Sequence, residues 1–179
     1  MFSKKICVIG LGYIGLPTAA LLAHRGYDVH GVDVEQSTVN IINRGEIHIV
    51  EPELDTFVKG AVSSGKLKAS LNPCEADVFI IAVPTPFHEG FVPNIDYVLS
   101  ATKAIAPFVK ENNVVILEST SPVGTTDKIE EALVAEGIDT SKLFIAHCPE
   151  RVLPGQIMKE LVGNDRIVGG TTPRATVQA

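Results

Sequence analysis

The segment Gly10-Leu11-Gly12-Tyr13-Ile14-Gly15 places three glycines at the spacing of an anion cradle. In such a motif Gly10 permits a tight turn, Gly12 lets a pyrophosphate approach the backbone, and Gly15 lets the following helix sit close to a sheet. The pyrophosphate would meet the helix N-terminus, where free N–H groups and the positive end of the macrodipole favour an anion. A glycine triplet alone is a weak signal. Here Ile6-Cys7-Val8-Ile9 precedes it as a buried strand, and Asp33 stands 18 residues beyond Gly15, at the end of a second strand. A carboxylate there accepts bonds from both adenosine ribose hydroxyls and repels a 2′-phosphate, which favours NAD over NADP. The plainer alternative makes Asp33 a helix cap.

Three more segments follow later strands: Val83-Pro84-Thr85-Pro86, Glu118-Ser119-Thr120-Ser121-Pro122 and His147-Cys148-Pro149-Glu150-Arg151. Ligands of an open parallel sheet bind just beyond the carboxyl ends of its strands, so all five segments converge on one crevice. Thr120 and Glu150 have the strongest chemistry, since a hydroxyl and a carboxylate facing one cleft can hold and polarise a water. Thr85 and Ser119 are equally readable as turn or cap residues. Cys148 is a nucleophile candidate by position, against the plainer reading of a small cysteine packed at a sheet edge. Arg151 could clamp a phosphate or be a solvated loop arginine. No metal site is expected, because neither His24 nor His147 has a partner at ligand spacing.

These residues need a scaffold that alternates strand and helix. Apolar runs predict strands at 5–10, 28–33, 67–70, 78–83, 114–118, 143–147 and 166–168. Helical patterns run through 14–24, 36–43, 52–62, 95–109 and 126–136, and 149–155 reads as loop. The alternation implies parallel pairing with right-handed crossovers, hence an α/β fold with a doubly wound parallel sheet in three αβα layers, of the Rossmann type. Thr171-Thr172-Pro173 then caps a helix that has run about a turn by Ala179, so residues 1–179 read as one NAD-binding domain, a fragment of a longer chain.

Composition narrows the function classes. The 179 residues carry 15 Lys plus Arg against 21 Asp plus Glu, a net charge of −6. With a pI near 5.3 and a mean hydropathy of +0.24, the chain can bury a core yet offers no basic footprint for nucleic acid or an anionic membrane. The uncharged stretch from Ile6 to Ala23 is not a membrane span or signal peptide, because Gly10, Gly12, Gly15 and Pro17 interrupt it. Three scattered cysteines, Cys7, Cys74 and Cys148, form no disulfide framework, and a reducing, cytoplasmic compartment is expected.

Taken together, these segments resemble the UDP-glucose/GDP-mannose dehydrogenase family, whose members oxidise a primary alcohol of a nucleotide sugar to a carboxylate with two NAD. The likeness is carried by 43–54 (Asn43-Arg44-Gly45 through Glu51-Pro52-Glu53-Leu54), Ile81 to Phe87, Ile116 to Gly124 and Cys148 to Gly155. It is closest to the branch acting on UDP-linked N-acetylmannosamine, for surface polysaccharide precursors. The resemblance implies that Gly10, Leu11, Gly12, Tyr13, Ile14, Gly15 and Asp33 hold NAD, with Val83, Pro84, Thr85 and Thr120 near its pyrophosphate and nicotinamide ribose. Thr120 and Glu150 would be catalytic, positioning water beside the reacting carbon, and Glu150, Arg151, Val152 and Leu153 would line the path of the UDP-sugar. In the family the nucleophilic cysteine, its assisting lysine, most uridine contacts and the dimer contacts lie in a central helix and a C-terminal domain. The resemblance therefore implies a homodimer for the whole protein, and for residues 1–179 alone a monomer without turnover. A stand-alone NAD sensor and a two-domain hydroxyacid dehydrogenase are the competing readings.

Overall fold

A computed structural model describes residues 4–179. Its strands are β1 (Lys5–Ile9), β2 (Asp28–Val32), β3 (Leu67–Ser70), β4 (Val78–Ile81), β5 (Val114–Leu117), β6 (Phe144–His147) and β7 (Gly169–Gly170). Between and after them run α1 (Gly15–His24), α2 (Gln36–Asn43), α3 (Leu54–Ser63), α4 (Asp96–Ile105), α5 (Thr125–Ala135), α6 (Ile157–Gly163) and α7 (Pro173–Gln178). The strands form one sheet in the order β3-β2-β1-β4-β5-β6-β7. The first six pair in parallel, and the chain reverses its direction of growth between β1 and β4.

Strand periodicity divides the core in two. Ile6, Val8 and Ile80 face one side of the sheet, against Leu16, Ala19 and Ala20 of α1, Ile42 of α2 and Val58 of α3. Cys7, Ile9, Phe79, Ile81, Val115 and Leu117 face the other, against Val98 and Ile105 of α4 and Ile129 and Leu133 of α5. Residues two apart share a face and neighbours oppose, so strands buried on both sides read as continuous apolar runs. The doubly wound three-layer architecture is therefore as the alternation predicts.

Three details differ from expectation. Residues 166–168 are not a strand. The last strand is Gly169–Gly170, and it runs antiparallel to β6 through Ala146↔Gly170 and His147↔Gly169. Between β6 and β7 the chain forms α6, a helix that the periodicity does not predict. Its Met158 packs into the core on the α1 side, and the chain then pairs with the carboxyl end of β6. The helix expected over 95–109 ends at Ile105 and tightens into a 3₁₀ turn at Ala106–Phe108, where Pro107 lacks the N–H a further α turn needs. Finally, α3 begins at Leu54 rather than Pro52, because Glu53 sits in the left-handed region at φ 66°. Thr172 caps α7 as expected, accepting the Ala175 N–H.

Candidate cofactor and active site

The glycine loop owes its shape to two close approaches. Gly10 has φ +90°, and a Cβ there would lie 2.5 Å from the Ala82 carbonyl oxygen. At Gly15 a Cβ would lie 1.8 Å from the Gly10 carbonyl oxygen, so α1 can start against the sheet only with glycine at that position. Around Gly12, by contrast, the space is clear to 4 Å. The first turn of α1 holds no acidic residue and its N-terminus has no side-chain cap, so nothing in that turn competes for an incoming anion. Leu11 is fully buried, Ile14 part-buried and Tyr13 half-exposed.

Asp33 is not the cap of α2, whose N-cap position is Glu35. Its Oδ2 accepts the Leu11 N–H at 3.1 Å and its Oδ1 accepts the Glu35 N–H at 3.0 Å. The carboxylate thus ties the glycine loop to the β2–α2 turn while remaining part-exposed beside the cradle. The open space at Gly12, a helix end free of acid, and this carboxylate fit an anionic dinucleotide with unmodified ribose hydroxyls.

The carboxyl ends of β4, β5 and β6 are laced together on the far side of the switch point. Thr85 Oγ1 donates to the Thr120 carbonyl at 2.6 Å, Ser119 Oγ to the Val83 carbonyl at 2.7 Å, and the Glu150 N–H to the Glu118 carbonyl at 3.2 Å. His147 Nε2 lies 3.1 Å from the Ser119 carbonyl oxygen. The hydroxyls of Ser119 and Thr85 thus serve as ties between loops, which leaves the exposed Thr120 side chain for other partners. Its neighbour Ser121 has a buried Oγ without a hydrogen-bond partner among the described residues, an unmet need that a bound group or water would fill. Pro84 is exposed and Val83 part-buried at the same rim.

A charged cluster joins the residues that follow β5 and β6. Arg166 Nη2 donates to Glu118 Oε1 at 2.8 Å, Nη1 makes a short contact with Glu150 Oε2, and Nε donates to Cys148 Sγ at 3.4 Å. Thr18 Oγ1 of α1 reaches Glu118 Oε2 at 3.1 Å, and Glu150 Oε1 accepts the Arg151 N–H at 2.7 Å. The side chains of Glu118 and Glu150 are each 3% exposed and that of Arg166 is 32% exposed. Burial pushes the Glu118 carboxyl above its ordinary value, opposed by the Arg166 and Thr18 hydrogen bonds. For Arg166 burial acts against the charge, yet the bonds to Glu118 and Cys148 outweigh it and hold the guanidinium pKa above its ordinary value. Deep in β1, burial drives the Cys7 thiol up to about 12, which leaves it inert.

The loop after β6 is held by bonds to the segment that follows it. The Arg151 guanidinium turns to the Asp165 carbonyl at 2.7 Å, and the Leu153 N–H is taken by Glu160 Oε2 at 2.7 Å. Leu153 itself is exposed and Val152 part-buried. Arg166 and Thr18 are the residues of the charged cluster that the sequence does not single out, and Glu118 stands in a predicted segment without a role of its own. For Glu118, the clue was a charged residue directly after an apolar strand.

The strand order, the glycine cradle and the acid closing β2 define a dinucleotide-binding domain of the Rossmann type. Residues 4–179 match the UDP-glucose/GDP-mannose dehydrogenase family, NAD binding domain, and the chain belongs to that family. It is similar to a UDP-N-acetyl-D-mannosamine dehydrogenase of Campylobacter jejuni, 56% identical over 186 residues that cover 98% of this chain and 46% of the relative. An NDP-N-acetyl-D-galactosaminuronic acid dehydrogenase of Ralstonia nicotianae is 51% identical over 185 residues, covering 98% of this chain and 44% of its own. Among solved structures, a UDP-N-acetyl-mannosamine dehydrogenase from Staphylococcus aureus superposes with a TM-score of 0.91 at 44% identity, covering 98% of this chain and 43% of that one. The chain spans about half the length of the relatives it matches. Among the described residues no helix is long and apolar enough to cross a membrane.

Proposed function

We propose that this chain is the cofactor-binding part of a cytoplasmic sugar-nucleotide dehydrogenase that oxidises C6 of UDP-N-acetyl-D-mannosamine to the uronic acid, for surface polysaccharide precursors. The observation that carries this reading is the crevice at the β1/β4 switch point. An Asp33-anchored glycine loop lies at the carboxyl end of β1, and the loops after β4, β5 and β6, which carry Thr120 and Glu150, follow the same ends of the neighbouring parallel strands and are tied to one another. Bound NAD supplies the hydride acceptor, and the step from alcohol to acid consumes two of them with one water.

The chain's own residues divide the remaining work. Gly10, Leu11, Gly12, Tyr13, Ile14 and Gly15 cradle the pyrophosphate, and Asp33 accepts from the ribose hydroxyls. Val83, Pro84 and Thr85 border the nicotinamide ribose. Thr120 and Glu150 orient the water beside the reacting carbon, and Arg151, Val152 and Leu153 flank the sugar nucleotide. The substrate assignment is supported by the 56% identity to the Campylobacter jejuni enzyme. The Ralstonia relative, at 51%, makes an N-acetylgalactosamine nucleotide the second candidate. The whole protein is a homodimer on this reading, and residues 1–179 alone are a monomer.

The test is NADH production by the full-length gene product with each sugar nucleotide, beside calorimetric titration of the 179-residue chain. Two NADH per UDP-N-acetylmannosamine consumed is expected, with NAD bound by the isolated chain better than NADP and without turnover. Preference for the galactosamine nucleotide would move the substrate, and steady NADH from the isolated chain would overturn the division of labour and return Cys148 to contention. If the isolated chain bound no dinucleotide, the reading as a cofactor domain would be lost.

A further inference from the structure

Arg166 spends all three of its guanidinium nitrogens on side chains at the ends of β5 and β6: Glu118, Glu150 and Cys148. Its partners occupy their remaining sites in turn. The carboxylate of Glu118 also accepts from Thr18, and the free oxygen of Glu150 accepts the Arg151 N–H. A glutamate side chain has three rotatable bonds, and a carboxylate held at both oxygens by partners on different segments has one orientation left. Without Arg166 two buried carboxylates of like charge would face each other with no cation between them, an arrangement that drives such groups apart. The arginine side chain is itself a third exposed, whereas both carboxylates it holds are buried.

We propose that Arg166 is the positioning residue of the active site, a guanidinium strut between Glu118 and Glu150 that fixes the direction in which Glu150 presents its carboxylate. The inference deepens the proposed function and rests on Glu150 as the group that orients water. A lysine cannot replace the strut, because one ammonium lacks the planar fork that reaches three partners at once. Glu118, which Arg166 holds through one oxygen, accepts the Thr18 hydroxyl from the helix that follows the glycine loop, so the cluster reaches both halves of the crevice.

The experiment compares wild type, R166A and R166K in the full-length gene product, by steady-state NADH formation from UDP-N-acetylmannosamine with and without added guanidinium. NAD binding is titrated in parallel, and amide exchange of Arg151 is followed in the 179-residue chain. In R166A kcat falls by about a hundredfold or more, while NAD affinity stays within about twofold. Guanidinium restores at least about a tenth of the lost rate, and R166K falls between the two. Arg151 exchange quickens by about tenfold in R166A, because the acceptor of its N–H is no longer held.

Unchanged kcat, or a loss of rate together with NAD binding that guanidinium does not restore, overturns the inference and leaves Arg166 a scaffold residue. Should wild type form no NADH from any sugar nucleotide, the proposed function falls, and Arg151 exchange still decides for or against the strut. If R166A does not fold, R166K carries the test. Faster Arg151 exchange with a lowered kcat supports the strut, and wild-type values in both refute it.

Discussion

Glu51 and Ile157, 106 residues apart, are joined by one short hydrogen bond: Glu51 Oε1 accepts the Ile157 N–H at 2.7 Å. The other oxygen, Oε2, accepts the Gly155 N–H at the same distance. Glu51 is 4% exposed, so this carboxylate is a buried clasp on the start of α6 and on the loop that carries Glu150 to Gly155. Charge-assisted bonds to backbone N–H groups are the stronger kind, and here they fix a segment that holds no regular structure of its own.

Glu51→Gln is therefore expected to destabilise the chain by about 1–3 kcal/mol, because an amide can accept at one end only and turns its NH₂ toward the other donor. A shifted urea midpoint with an unchanged slope would register it, together with faster proteolysis within 151–156. A midpoint equal to wild type would mean that the clasp is dispensable.

Gly12 and Gly15 separate binding from folding. With open space around it, Gly12→Ala should leave the melting temperature nearly unchanged while weakening NAD by at least about tenfold, since the methyl group occupies the approach of the pyrophosphate. Gly15→Ala meets backbone at 1.8 Å and should cost about 3 kcal/mol or more, or prevent folding. Melting curves and calorimetry on both variants give the answer, and equal effects of the two would contradict the geometry.

At Asp33 the expected change is in selectivity. Asp33→Asn keeps an acceptor for the Leu11 N–H but removes the charge, so NAD affinity should fall about tenfold and the preference over NADP should narrow. Competitive titration of the two dinucleotides decides it. An unaltered ratio would place the discrimination elsewhere.

The buried carboxyl of Glu118 gives stability a pH dependence. Folded Glu118 holds its proton more tightly than an unfolded glutamate, whose ordinary value is 4.5. Its contribution is thus fully present below that value and is lost as the pH rises through the raised folded value. Glu118→Gln should flatten this part of the stability curve just above pH 4.5, measured by urea unfolding at a series of pH values. An identical slope in wild type and variant would assign the dependence to other groups.

Much of this architecture could be read along the chain because its causes are local. Ile6 to Ile9 and Val78 to Ile81 are apolar at every position, and a strand buried on both faces needs nothing more to be recognised. The glycine loop was legible for the same reason: Gly10 and Gly15 each answer a steric constraint within a few residues or on the adjoining strand, and Gly12 completes their spacing. Arg166 and Glu51 were not legible. Glu118 is 48 residues from Arg166, and Gly155 is 104 from Glu51, so nothing near either residue marks its partner. The reversed β7 belongs to the same class, for its pairing with Ala146 and His147 is a contact between segments more than 20 residues apart.

The last strand has a consequence for how the molecule meets its neighbours. Gly169–Gly170 is only two residues long, and α7 lies so close behind it that a Cβ on Gly170 would stand 2.3 Å from the Thr176 nitrogen. Stray chains template on long, flat sheet margins whose N–H and C=O groups stand unclaimed. Here Thr176 Oγ1 of α7 already accepts the Gly170 N–H. A margin this short, with that donor taken and α7 packed behind it, offers little template for edge-on polymerisation.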